Sequence, residues 1–525
     1  MDLARLSTIT DADVLRELVV EKIGEIARRE EVLVQHQQLL ATRDETIRNR
    51  DIHIDALTHE IARLRRVQFA ARSERMNPEQ RALFDESMDA DLAAAEAALE
   101  ALRQPTDMSE PAAPRNWPKR RPLPPELPRV TTVHEPDCQG CERCGGALVK
   151  IGEHVRERLA CKPIEFYVQR QVFAQYACRP CERVVATPVP PAILDRSQAA
   201  PSLLAQVAVA KYVDHLPLYR QEAIYARSGV ALSRSTLAEW IGAVGVALQP
   251  LVDATRQALL SCPVLHADET PVAQLEPGRG QTRRAYVFAY RSDSERPLIV
   301  FDYCASRSGV HAQRFLGEWR GALMVDDFAG YKALFADGVT ELGCWAHARR
   351  KFVDLEKASG SAIATEALHR IAALYRIEHE VRGADPHTRH AYRQQHAAPI
   401  VAALHEWLRE LHPKVLGSSG TDRAIAYTLK RWPALVRYLD DGRYPIDNNP
   451  IENAIRPIAL GRKNWLFAGS GPAGRRACAI MSLLATAKAN GHDPHAWLSD
   501  VLERLPVTRN SDIATLLPHS WQPAG

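Results

Sequence analysis

At 525 residues, 46% hydrophobic and 25% charged, the chain has the composition of soluble globular protein; wholesale disorder is excluded, and the length predicts several domains. A net charge of +3 is small for this length, so affinity for nucleic acid has to come from local basic clusters rather than from the field of the whole molecule. The start, MDLARLSTITDADVL, lacks the basic-then-apolar order of a signal peptide, and no apolar run approaches the roughly 18 residues that span a membrane, so a cytoplasmic protein without a membrane partner is expected.

Val19, Ile26, Leu33, Leu40, Ile47, Ile54 and Ile61 recur every seven residues through a polar, proline-free segment, the heptad signature of a coiled coil. The second seam position holds Lys22, Arg29, His36, Arg43 and Arg50 before Leu57 and Leu64 complete it. Residues 1–104 are therefore expected to be helical and to self-associate into a homo-oligomer, the alternative being one long helix packed on its own domain. Residues 105–137 are proline-dense and read as an extended basic linker, in which RNWPKRRP suits either DNA phosphates or solvent.

Residues 138–190 carry Cys138, Cys141 and Cys144 in CQGCERC and Cys178 and Cys181 in YACRPCE. Two C-x-x-C pairs around an alternating stretch predict a structural Zn²⁺ site, because four thiolates complete tetrahedral coordination. The expected ligands are Cys141, Cys144, Cys178 and Cys181, with Cys138 able to replace Cys141. Residues 191–258 read as a helix-turn-helix-like region, two short helices around Gly229, with Arg234, Ser235 and Thr236 opening the second helix where such motifs reach base edges. An ordinary helical hairpin fits the same pattern.

From residue 259 to 505 the pattern becomes α/β. PVLHADET, RRAYVFAY and RPLIVFDY read as strands, SGVHAQRFLGEW as a helix, GALMVDDF as a strand, AGYKALFA as a helix, and TELGCWAHARRKF as a strand passing into a basic helix. Three strands, helix, strand, helix, strand, helix is a ribonuclease-H-like succession, in which the first and fourth strands are neighbours and would bring Asp268 and Asp326 into one site. Clustered carboxylates call for a hard cation, Mg²⁺ or Mn²⁺, and two such ions about 4 Å apart support phosphodiester transfer. A helical insertion is expected at about 357–440, and residues 506–525 as a tail. The fold class is thus multidomain α+β.

After the insertion comes DNNPIENAIRP, where Asn449 suits an N-cap, Pro450 the first helical position and Glu452 the third position of a capping box. A glutamate that binds metal instead has to point away from the Asn449 amide, so the local geometry separates the two roles.

HADET, MVDDFAGY, GCWAHARRKF, YPIDNNPIENAIRPIALGRKNWLFAGS and SLLATAKANGHDPHAWL together resemble the insertion-sequence-66 family of bacterial transposases, and the resemblance covers nearly the whole chain. It implies a DDE transposase that binds transposon-end DNA, cuts it and joins the freed 3′-hydroxyl to target DNA, possessing Asp268, Asp326 and Glu452 as its catalytic, metal-binding acids. Where the family has Asp-Gly-Tyr this chain has Asp326-Asp327-Phe328; Ala329, Gly330 and Tyr331 keep their places if Asp326 is the second acid, and Asp327 is the alternative. Arg349, Arg350 and Lys351, with Arg462, Lys463 and Trp465, are expected to give phosphate contacts and an aromatic face for DNA, or else solvated helix faces. Cys344 and His347 have metal-like spacing without a second pair, which favours a structural role. Small companion proteins of the element and association with the bacterial nucleoid are further expectations. Two other classes fit parts of the pattern: a non-catalytic zinc-containing DNA-binding protein and a ribonuclease-H-fold nuclease.

Overall fold

The computed structural model describes scattered positions between 32 and 99 and residues 123–523 other than 126, 136–145, 163–164, 195–196, 277–280 and 466. Val19, Ile26, Leu33 and Leu64 of the heptad seam, most of the linker, and Cys138, Cys141 and Cys144 lie outside the described residues. Leu40 and Ile47 are helical and exposed, at 59% and 54% of their surface, whereas Ile61 at 8% packs with Ala95 against Leu275 and Phe467.

Strands β1 (Arg129–His134), β2 (Val149–Lys162), β3 (Glu165–Cys178) and β4 (Arg183–Ala186) form a four-stranded sheet centred on β3. β2 and β4 run antiparallel to β3, and β1 parallel. Cys178 ends β3 and Cys181 sits in the turn to β4, where Glu182 has φ +53°. One end of this sheet, through Leu159, Phe166 and Val168, docks on a helical core.

That core is made by α1 (Pro201–Tyr212), α2 (Leu218–Arg227), α3 (Arg234–Ala247) and α4 (Gln249–Leu260) together with two helices from the far end of the chain, α13 (Gly471–Ala489) and α14 (Pro494–Arg504). The hairpin around Gly229, at φ +79°, is present. Most of α3 is a core helix, with Leu237, Ala238 and Trp240 through Gly245 buried. Its first turn, with Arg234, Ser235 and Thr236, and Glu239 beyond it are at least partly open, and Ser233 caps that turn by accepting from the Thr236 amide. The expected tail is also packed, with Leu516 and Leu517 buried beside Trp497.

The second sheet contains β5 (Val264–Leu275), β6 (Thr282–Ser292), β7 (Ile299–Cys304), β8 (Ala322–Val325) and β9 (Thr340–Gly343) in the order β7-β6-β5-β8-β9. The first three strands are antiparallel neighbours, and β8 and β9 add in parallel with β5. Alternation splits the side chains: Phe288 and Tyr290 face α4 and α5 (Gly309–Leu316), while Val287 and Ala289 face α12 (Asn449–Trp465) and α13. Ser482 and Thr486 of α13 accept the amides of Phe301 and Ile299, so the edge strand β7 is covered instead of left open for another chain.

The remaining helices are α6 (Lys332–Ala336), α7 (Trp345–Ser359), α8 (Ala362–Glu380), α9 (Pro386–Tyr392), α10 (Ala398–Leu411) and α11 (Gly420–Val436). Helices α8, α10 and α11 pack with Trp345 and Phe352 of α7 into a separate core, the expected helical insertion. Gly343, at the end of β9, is where α11 touches the sheet; a Cβ there would stand 2.8 Å from the Leu435 amide nitrogen. Among the described residues no single helix is long and apolar enough to cross a membrane.

Candidate active site

β5 and β8 pair in parallel with Val264, Leu265 and His266 opposite Ala322, Leu323 and Met324. Continued by two residues, that register sets Asp268 opposite Asp326, one residue past the end of β8. Burial lifts the Asp268 carboxyl to about 7, and the Glu269, Asp326 and Glu452 carboxylates add to the lift. Asp326 Oδ1 accepts the Phe328 amide at 2.8 Å, which folds the chain back sharply after the strand. Asp327 turns away and pairs with Lys430 of α11.

Glu452 reaches this site because of the residue four positions before it. Asn448, 1% exposed, accepts from His266 Nδ1 at 2.9 Å and donates to the Ala267 carbonyl at 2.9 Å, and its own amide donates to Cys344 Sγ at 3.2 Å. The start of α12 is thereby fastened to β5 immediately before Asp268 and to the end of β9. The helix begins at Asn449 rather than after it, with the Asn448 carbonyl accepting the Glu452 amide at 3.2 Å. The Asn449 amide is capped by Asp447 Oδ1 at 3.0 Å, so the expected capping box between Asn449 and Glu452 is replaced. Glu452 instead accepts from Arg350 at 3.0 Å, and its Oε1, 3.6 Å from His347 Nδ1, is buried with no hydrogen-bond partner.

Among the described residues, Cys344, His347 and Glu452 have donor atoms all within 4.8 Å of one another, a set able to hold a metal ion. Burial pushes the Cys344 thiol up to about 12, so it stays protonated near neutrality and serves as the acceptor for Asn448. Burial holds His347 below the ordinary imidazole range despite the adjacent Glu452 carboxylate.

Further groups brace the acids. Glu269 accepts two bonds from Arg307, at 2.9 and 2.6 Å, and one from the Tyr331 hydroxyl at 3.0 Å; its carboxyl is raised by burial, against the pull of Arg307. Arg431 of α11 donates to the Asp326 carbonyl at 3.1 Å and pairs with Glu341 of β9, so the insertion grips both parallel strand ends. Asn448, Glu269 and Arg431 were not singled out by the sequence; HADET and DNNPIEN contained the first two, but nothing local marked their partners.

The expected DNA contacts separate. Arg349 is exposed, Arg350 turns to Glu452, and Lys351 lies over the Tyr427 ring at 5.4 Å. Arg462 donates to the Pro271 carbonyl and Lys463 is exposed. Trp465 is half-buried, packed against the face of the sheet that carries Val272 and Val287. Arg234 and Thr236 are half-buried and Ser235 is exposed.

Residues 196–476 match the family described as Transposase IS66 family, and residues 482–519 match its C-terminal element. Residues 56–132 match a segment described as Transposase C of IS166 homeodomain, and residues 139–182 the zinc-finger binding domain of transposase IS66. Three uncharacterized proteins of Sinorhizobium fredii are similar over most of their length. y4qI is 36% identical over 98% of this chain and 97% of that protein. For y4jD the figures are 37%, 76% and 81%, and for y4hP 35%, 78% and 78%. A family match over more than half of the chain, joined by matches on both sides of it, makes the protein a member of the IS66 family of transposases.

Proposed function

We propose that this transposase cuts DNA at the ends of its element and transfers the freed strand to a target through Asp268, Asp326 and Glu452. The observation that carries the reading is the convergence of the three acids from β5, the end of β8 and the start of α12, felt in the lifted Asp268 carboxyl. The strand order and the mixture of antiparallel and parallel pairs support a ribonuclease-H-like core. Asp326 is the second acid in this reading, because it neighbours Asp268 while Asp327 is committed to Lys430.

The residues fit a hard divalent cation: a half-buried acid lifted to about 7 by burial and, less, by neighbouring carboxylates, and a buried Glu452 oxygen with no hydrogen-bond partner, are groups that a cation would relieve. Asp268, Asp326 and Glu452 would hold two Mg²⁺ or Mn²⁺ ions, which supply activation of the attacking oxygen and stabilisation of the leaving one. The chain itself orients the acids. Asn448 fixes the approach of Glu452, Arg431 fixes the backbone at Asp326, and Arg350 balances Glu452 charge. Water attacks the phosphorus at the element end and the 3′-oxygen leaves; the resulting 3′-hydroxyl then attacks a target phosphodiester and displaces that strand's own 3′-oxygen, so one P–O bond is exchanged for another in line at each step without a covalent enzyme intermediate.

Cys141, Cys144, Cys178 and Cys181 are our choice for a structural Zn²⁺ site. The family zinc-finger match spans these four and begins after Cys138, and Cys178 and Cys181 flank a tight turn suited to one half of such a site. Exposed Leu40 and Ile47 support self-association through the heptads. Transposon-end and target DNA are the partners, with small companion proteins of the element possible additions, at the nucleoid of a bacterial cytoplasm. The reading is tested by incubating the protein and Mg²⁺ with a plasmid carrying the element: new 3′-hydroxyl ends at the element boundary are expected, and binding at those ends without any cut favours the non-catalytic alternative.

A further inference from the structure

Beside the acids, α7 and α8 leave an open cleft of about 820 Å³, lined by Arg349, Arg350, Tyr375, Arg376, His379 and Asn449, among others. Two of its lining residues adjoin Glu452. Asn449 lies less than one helical turn before Glu452, and Arg350 both lines the cleft and donates to Glu452 at 3.0 Å. Arg349 and Arg376 are exposed, and neither pairs with a carboxylate among the described residues. The one acid in the lining, Glu380, accepts from the Tyr392 hydroxyl at 2.6 Å. Val353, Ala346 and Ala372 give the cleft apolar, low-relief walls.

Two unpaired guanidinium groups from different helices, set in a groove leading to phosphodiester chemistry, match the phosphates of a nucleic-acid strand. The volume falls in the range of about 300–1,000 Å³ in which proteins enclose small ligands, which suits a few nucleotides and not a duplex. We infer that this cleft binds a single-stranded segment of DNA next to the cut, with Arg349 of α7 and Arg376 of the insertion as its phosphate contacts. The inference rests on the carboxylate reading for the direction in which the strand runs, and it gives the insertion a substrate-holding role. Neither arginine touches the reacting atoms in this assignment.

The test is fluorescence anisotropy of the full chain with a labelled short oligothymidylate, without divalent cation and at several salt concentrations. Arg349→Gln and Arg376→Gln should each flatten the slope of log K against log salt by about 0.7, and the double variant by about 1.4. Affinity for oligothymidylate should drop several-fold in each, while that for a blunt duplex of equal length changes little. Unchanged affinity and slope in the double variant, with an unchanged melting profile, overturn the proposal. Equal weakening for duplex and single strand, or equal competition by polyglutamate, overturns the strand assignment. If Asp326→Asn cuts element DNA normally, the carboxylate reading fails while the cleft stands or falls on the oligothymidylate data for the two arginine variants.

Discussion

The two sheets of this protein handle polar residues in opposite ways. The five-stranded sheet is covered on both faces, by α4 and α5 on one side and α12 and α13 on the other, and Asp268, Glu269 and Asp326 lie together where β8 ends and β5 runs past it. Among the described residues the four-stranded sheet is covered at one end, and β2 spreads Lys150, Glu153, Arg156 and Glu157 along its length while Val130, Val133 and Ile151 are exposed. Carboxylates held close under cover raise one another's pKa, whereas charges on the more open sheet meet water and opposite charges, as Lys150 meets Glu153. Chemistry is therefore expected in the second sheet and a structural or contact role in the first.

Substitutions should sharpen that contrast. Leu323→Ala, at the fully buried centre of β8, should lower stability by about 2–5 kcal/mol in chemical denaturation, because a cavity forms between two packed layers. Asn448→Ala should cost about 1–3 kcal/mol by leaving buried partners of β5 unpaired, and should reduce DNA cutting by about a hundredfold through misplacement of Glu452. A stability loss without an activity loss would show that Asn448 does not aim the acid.

The lifted Asp268 gives a pH test. Its folded pKa of about 7 exceeds the unfolded value near 3.8, so between these limits the folded, metal-free protein binds more protons than the unfolded chain. Stability should decline as pH rises through that window, and Asp268→Asn should flatten the dependence in thermal melts; an equally steep decline in the variant would place the titrating group elsewhere. The smallest effect is expected in the other sheet, where Ile151→Thr on an exposed face should change stability by no more than about 0.5 kcal/mol. A change of several kcal/mol would mean that this face is covered in solution, by a second copy or another partner.

Much of the candidate site was legible in the sequence because it consists of local signals: apolar runs ending in Asp268 and Asp326, and a helix start just before Glu452. What joins those signals was not legible. Asn448 bonds to residues 181 and 182 positions away, and Arg431 to a carbonyl 105 positions away, distances across which no periodicity carries information. The hairpin around Gly229 was visible, but the burial of α3 draws partly on α13, whose sequence lies more than 200 residues later. The packing of Trp465 was not legible for the same reason, since the sheet against which it lies is distant in sequence.

The most direct test of the central claim is Mg²⁺-dependent cutting of element-end DNA by four variants compared at equal end binding. Asp268→Asn, Asp326→Asn and Glu452→Gln should each lose more than about a hundredfold in rate, the scale of removing one group that stabilises developing charge, whereas Asp327→Asn should lose less than about tenfold. Near-normal cutting by any of the first three, or an equal loss in Asp327→Asn, would contradict the account of which acids do the chemistry.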